Sequence, residues 1–150
     1  MSGSWKIRGA KELEQALLTL PDRLALNVFS GMTLAGAGRI RDAARTFAPR
    51  GMPPLPKGNE PGDLKRDIVS ARGRGTRDEI VSIVGLKGRS RRIAHLIEFG
   101  HDQKHGGRVR ATPFMRPALD VAGDGAVQVM VRYGQTRFDA EVRKLASGGT

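Results

Sequence analysis

Cysteine is absent from the 150 residues, which excludes disulfide staples, thiolate metal sites and cysteine nucleophiles. Aromatic residues are scarce at 5%, with one tryptophan, Trp5, and one tyrosine, Tyr133. The core must then rest mainly on Leu, Ile, Val and Ala, and no row of rings is available for stacking nucleobases. No apolar run approaches the ~18 residues of a membrane span. The first six residues lack an apolar leader core, so a soluble chain made and kept in the cytoplasm is expected. Acidic side chains are also in short supply, 15 against 26 Lys and Arg, for a net charge of +11. A surface of this kind calls for nucleic acid, an anionic membrane or an acidic protein partner.

What is present fits one domain over residues 1–150 with a modest core, since a chain of this size buries roughly two-thirds of its unfolded surface. Leu13, Ala16, Leu17 and Leu20 share one helical face, predicting a short helix over residues 11–20 that Pro21 ends. Asp22 is suited to cap a longer helix, whose apolar row Ala25, Phe29, Met32, Gly36, Ile40, Ala43 and Phe47 keeps steps of three and four. Gly31, Gly36 and Gly38 lie in this helix; either another backbone approaches them closely or their loss of propensity is tolerated. Pro49 sets the helix end near Ala48. Residues 49–62 are dense in proline and glycine, predicting an exposed irregular loop.

A strand is expected from Ile68 onward, then a turn through residues 72–78 and a second strand over residues 79–86. Both faces of that second strand are apolar; one should pack on helices, the other on a second element of the domain or on a neighbouring subunit. A basic loop over residues 87–92 leads to a third expected strand over residues 93–99, completing an antiparallel meander. After a polar loop, Thr112 is suited to cap a last helix with Pro113 in its first position. This helix should run toward Leu145 with an interruption at Gly123, Asp124 and Gly125, and residues 147–150 should fray. The expected fold is therefore α+β: a long N-terminal helix, an antiparallel sheet of three to five strands and a C-terminal helix.

Few groupings suggest chemistry. Glu98, His101 and His105 have ligand-like spacing, but Gly100, Gly106 and Gly107 surround them and favour a polar loop over a metal site. The acidic neighbours Asp78 with Glu79, and Asp120 with Asp124, fall in turn or helix-end settings, and no serine sits in a nucleophile elbow. No enzyme, cofactor or metal is predicted. By contrast Arg72, Arg74, Arg77, Lys87, Arg89, Arg91 and Arg92 concentrate in two loops that a hairpin would bring to adjacent tips. Such a patch is suited to phosphates or to an acidic partner, and mutual repulsion should keep it exposed.

One stretch carries more specific information. Ile93, Ala94, His95, Leu96, Ile97, Glu98, Phe99 and Gly100, then a polar loop, then Ala111, Thr112, Pro113, Phe114, Met115, Arg116, Pro117, Ala118 and Leu119 resemble the hallmark of the Hong Kong ninety-seven-type phage tail-component family. The long helix ending at Ala48 and Pro49, and the Gly62, Leu64, Lys65, Arg66, Ile68 stretch, are also similar to that family. Departures are the longer proline-rich loop over residues 51–61 and His101 where threonine is common. The resemblance implies a structural neck or tail-completion protein of a long-tailed phage. It would be assembled in the host cytoplasm into the virion, between head-completion proteins and the tail terminator or tail tube, as a ring, for which the tail's sixfold symmetry suggests a hexamer. Glu98, Phe99, Gly100, Pro113, Phe114, Arg116 and Pro117 would then form a structural corner, with a buried ring at Phe99, a sharp turn at Gly100 and Phe114 and Pro117 anchoring the helix. The basic loops would face DNA or neighbouring rings. The alternative is a basic protein that binds nucleic acid without sequence preference and has no virion role; a small metal-dependent hydrolase using Glu98 and the histidines is the third reading.

Overall fold

The apolar row beginning at Ala25 does form one helix, α1 (Asp22–Phe47), which at 26 residues is about 39 Å long. Its backbone bonding extends one step further, where the Ala48 amide donates to the Ala44 carbonyl at 2.9 Å, and stops before Pro49 as expected. The computed structural model describes residues 22–50, 60–76 and 79–147, together with Lys11 and Gln15. Lys11 and Gln15 have helical backbone; the rest of the helix expected over residues 11–20, most of the proline-rich loop, Arg77 and the last three residues lie outside the described residues.

After α1 come α2 (Asp63–Asp67), β1 (Ile68–Arg72), β2 (Ser82–Leu86), α3 (Ser90–Phe99), β3 (His101–Asp102), β4 (Arg108–Val109) and α4 (Met115–Ser147). The fold is α+β, with a long N-terminal and a long C-terminal helix. Among the described residues, the expected single sheet of three to five strands is corrected to two separate two-stranded antiparallel ladders, β1 with β2 and β3 with β4.

α1 and α4 pack antiparallel, because Gly31 meets Tyr133, Gly36 meets Met130, and Gly125 meets Arg39. Small residues form the seam: Ala37 and Ala44 from α1 with Ala48 just beyond its end, and Ala118, Ala122 and Ala126 from α4, all buried. A methyl group added at Gly36 would lie 2.6 Å from Met130 Cγ and 3.3 Å from the Ala126 carbonyl oxygen, and one at Gly31 would lie 2.5 Å from the Tyr133 ring. The close neighbours are mainly side chains, Tyr133 at Gly31 and Met130 at Gly36, with one backbone atom, the Ala126 carbonyl oxygen, near Gly36; at Gly38 the nearest group would be the end of Arg41 at 3.9 Å. The buried row is narrower than the sequence suggested, since Phe29 and Phe47 are 37% and 42% exposed. The break expected at Gly123, Asp124 and Gly125 does not occur: α4 is continuous over 33 residues. Each glycine costs about 1 kcal/mol of helix propensity. Ala122 and Ala126 on either side are locked against α1, and tertiary packing outweighs local preference.

The ribbon pairs Ile68 with Leu86 and Arg72 with Ser82, so β1 begins where expected and the second strand is shorter than the predicted 79–86. The third expected strand is a helix. In α3, Ser90 and Ile97 are buried and Ile93 and Ala94 half-buried, while Arg91, Arg92 and His95 are exposed. Positions 90, 93, 94 and 97 are one face of an α-helix, which no strand can present together. A cluster of Ala44, Ala48, Leu64, Ile68, Ile97, Phe114 and Ala118 forms the main core, with a second around Val28 and Met32 against Met130, Tyr133 and Phe138.

Candidate functional site

The motif residues meet at a corner between α3 and α4. The first amides of a helix lack partners within it and need an acceptor from outside. For α4 this is Glu98, near the end of α3: its Oε2 accepts from the Phe114 amide at 2.8 Å and the Met115 amide at 3.0 Å, and its Oε1 from the Arg116 amide at 3.1 Å. Thr112 and Pro113 are therefore not the cap and first position, a correction to the sequence expectation; the helix starts at Met115, and the Thr112 amide instead donates to the Ile97 carbonyl at 2.8 Å. Burial of Glu98 pushes its pKa up, but the three amides and the nearby Arg116 charge outweigh that and hold it below the ordinary value.

Gly100 turns the chain out of α3 with φ of +72°. A methyl group there would lie 2.6 Å from the Val109 carbonyl oxygen and 2.8 Å from the Ala111 amide nitrogen, so glycine is needed for both conformation and space. Phe114 is fully buried and Pro117 half-buried at the corner, while Pro113 is exposed. Phe99 is the exception: its ring, expected inside, is 59% exposed and carries the Arg116 guanidinium 5.7 Å from its centroid, a cation–π contact. Both oxygens of Glu98 serve the helix, and His105 lies in the turn between β3 and β4, so the structure does not join Glu98, His101 and His105 into a ligand set. His101 Nδ1 is buried without a hydrogen-bond partner. Among the described residues no three His, Cys, Asp or Glu side chains are grouped to hold a metal ion, and no helix is long and apolar enough to cross a membrane.

The basic residues do not share one tip. Arg72 and Arg74 lie at the hairpin end of the ribbon, beside Ser82, whereas Lys87 and Arg89 follow Leu86 at the other end. Arg91 and Arg92 belong to α3, not to a loop. A ribbon of this length separates the two groups by about 16 Å, because antiparallel pairing places one loop at each end of β2. All six are exposed.

Sequence reasoning missed the difference between the ribbon's two edges. The Gly73 amide donates to the Val81 carbonyl and the Lys87 amide to the Asp67 carbonyl, so odd-numbered residues of β2 bond to β1. The amides and carbonyls of Ser82, Val84 and Leu86 point the other way. On the β1 edge, Arg45 donates to the outward Ile68 carbonyl from Nε at 3.1 Å and Nη2 at 2.7 Å. On the β2 edge no hydrogen bond among the described residues reaches the outward backbone groups. Beside it runs an open groove of about 990 Å³ whose walls include Ile40, Val84, Ala94, Phe99, Leu119 and Val127. On the opposite face of β2, Ile83 is 52% exposed. Apolar residues on both faces of residues 79–86 were the available signal for this surface, and they could not say which edge was open.

Comparison of the chain with protein-family models, with curated proteins and with solved structures gives no match.

Proposed function

We propose that this chain is a non-enzymatic structural protein of a long-tailed phage, a neck or tail-completion component acting where head and tail join. The observation that carries this reading is the corner itself. The two motif segments, on either side of the β3 and β4 hairpin, are joined through Glu98 and the first amides of α4, which supports reading the residues that resemble the phage family as an architectural unit. Both oxygens of Glu98 already serve as a helix cap, an architectural task that favours assembly over catalysis. The exposed basic residues at both ends of the ribbon suit docking against acidic neighbours in a ring, with a hexamer matching a sixfold tail, made in the host cytoplasm and retained in the virion.

The test is genetic and microscopic: deleting the gene from the particle-producing strain should yield filled heads and finished tails that remain separate, and antibody against the chain should label the head–tail junction of intact particles. Joined particles in the deletion strain, or particles free of the chain, would overturn the proposal. The alternative role in nucleic-acid binding draws on the same exposed Arg72, Arg74, Arg91 and Arg92. It predicts binding of the purified chain to duplex DNA with a steep salt dependence and no sequence preference.

A further inference from the structure

We propose that the open edge of β2 receives an extended strand from a partner protein, apolar at its centre and acidic at both ends. This does not depend on the virion role. Exposed strand edges are normally blunted by a charged residue, a proline or a covering element. The strand Ser82–Leu86 carries neither charge nor proline, and the outward amides and carbonyls of Ser82, Val84 and Leu86 have no partner among the described residues. On the β1 edge Arg45 takes the outward Ile68 carbonyl and the strand ends in the charged Arg72; the outward groups of Ser70 and Arg72 also have no partner among the described residues, but the apolar groove adjoins β2 and not β1.

Backbone pairing selects a strand, because a helix has already used its own amides and carbonyls and cannot satisfy the edge. The adjoining groove, about 990 Å³ and walled by Ile40, Val84 and Val127 among others, suits apolar side chains on alternate positions of the incoming strand. Charge then selects between a partner and a second copy of this chain. Two copies pairing β2 with β2 in antiparallel fashion about Val84 would bring the Arg72 and Arg74 end of one against the Lys87, Arg91 and Arg92 end of the other. Like charges so placed are unfavourable, and each copy carries a net +11. A strand with acidic residues at both termini meets both basic groups favourably.

The experiment uses the full chain and a terminally blocked peptide, Glu-Glu-Val-Thr-Val-Thr-Val-Glu-Glu. Binding is read by fluorescence anisotropy, and amide exchange of the protein by NMR. The peptide should bind, raise protection at the Val84 and Leu86 amides and weaken with added salt. Its Lys-ended counterpart, and a version methylated on the central amide nitrogens, should bind about tenfold or more weakly, a loss of about 1.4 kcal/mol or more. The methylated peptide leaves the protein untouched, so its result holds whether or not the complementary Val84→Pro variant folds. No binding, or equal binding of the methylated peptide, overturns the proposal. So does protection of Val84 and Leu86 in the free monomer, which would mean the chain covers its own edge. Salt-insensitive self-association abolished by Val84→Pro would also overturn it, by making a second copy the occupant.

Discussion

The corner at Glu98 and the edge at Val84 are built from neighbouring elements and treat their polar groups in opposite ways. At the corner every amide that α4 leaves unpaired from Phe114 to Arg116 finds a carboxylate oxygen, and the Phe114 side chain below is fully buried. At the edge the outward groups of Ser82, Val84 and Leu86 have no partner among the described residues, beside a groove of apolar walls. Self-satisfied polar groups stabilise the subunit, whereas unsatisfied ones beside apolar surface express their free energy only on association. Substitutions at the corner should therefore appear in stability, and substitutions along the ribbon in binding.

The largest effect is expected at Phe114. Its ring joins α4 to Ala44, Ile68 and Ile97 in the main core, and Phe114→Ala should cost about 3–5 kcal/mol in chemical denaturation. A loss below about 1 kcal/mol would mean that the corner does not lock the core. Glu98→Ala comes next, at about 1–3 kcal/mol, because three helix amides lose their acceptor; Glu98→Gln, which keeps one acceptor oxygen, should cost less. Since the Glu98 pKa is lower in the folded chain than its ordinary value of 4.5, its contribution is full above that value and is lost as pH falls below it through the folded pKa. Denaturation midpoints of the native chain and of Glu98→Gln should thus converge below that range. Persistence of the full difference at low pH would show that the carboxylate charge is not what holds the corner.

How far this contrast was legible in the sequence depends on whether the cause is local. The steps of three and four from Ala25 to Phe47 report a local geometry, and α1 follows them. The same kind of signal is present in α3 at positions 90, 93, 94 and 97, but the run of Ile93, Leu96, Ile97 and Phe99 also has strand-forming composition, which masks the helical spacing. The break expected at Gly123, Asp124 and Gly125 failed because α1, distant in sequence, supports Ala122 and Ala126 there. Glu98 could be identified as part of a structural corner from the motif, but its role as cap for a helix beginning at Met115 depends on a contact across the β3 and β4 hairpin. For the basic residues the types and exposure were legible. Their separation was not, because it follows from the pairing register that puts Arg72 opposite Ser82 and Ile68 opposite Leu86.

The smallest effect on stability is expected from charge reversal at the ribbon's ends, and it sharpens the contrast most because the two ends can be changed separately. Arg72 and Arg74 are exposed at one end, Arg91 and Arg92 at the other, and each Arg→Glu change should alter folding by no more than about 0.5 kcal/mol. If a partner strand spans the whole β2 edge, reversing either pair should weaken binding of the acidic-ended peptide, and reversing both should weaken it further. Reversed protein should in turn gain affinity for the Lys-ended peptide, a swap that loss of folding cannot mimic. Docking on duplex DNA has a different signature: each reversed arginine would lower the slope of log affinity against log salt by about 0.9 and leave the Lys-ended peptide unbound. If only the Arg91 and Arg92 pair matters for either ligand, contact is confined to the α3 end, and the Arg72 and Arg74 end is merely solvated. Unchanged binding after both reversals would remove the ribbon's charge from any account of partner choice, leaving the open backbone edge to act alone.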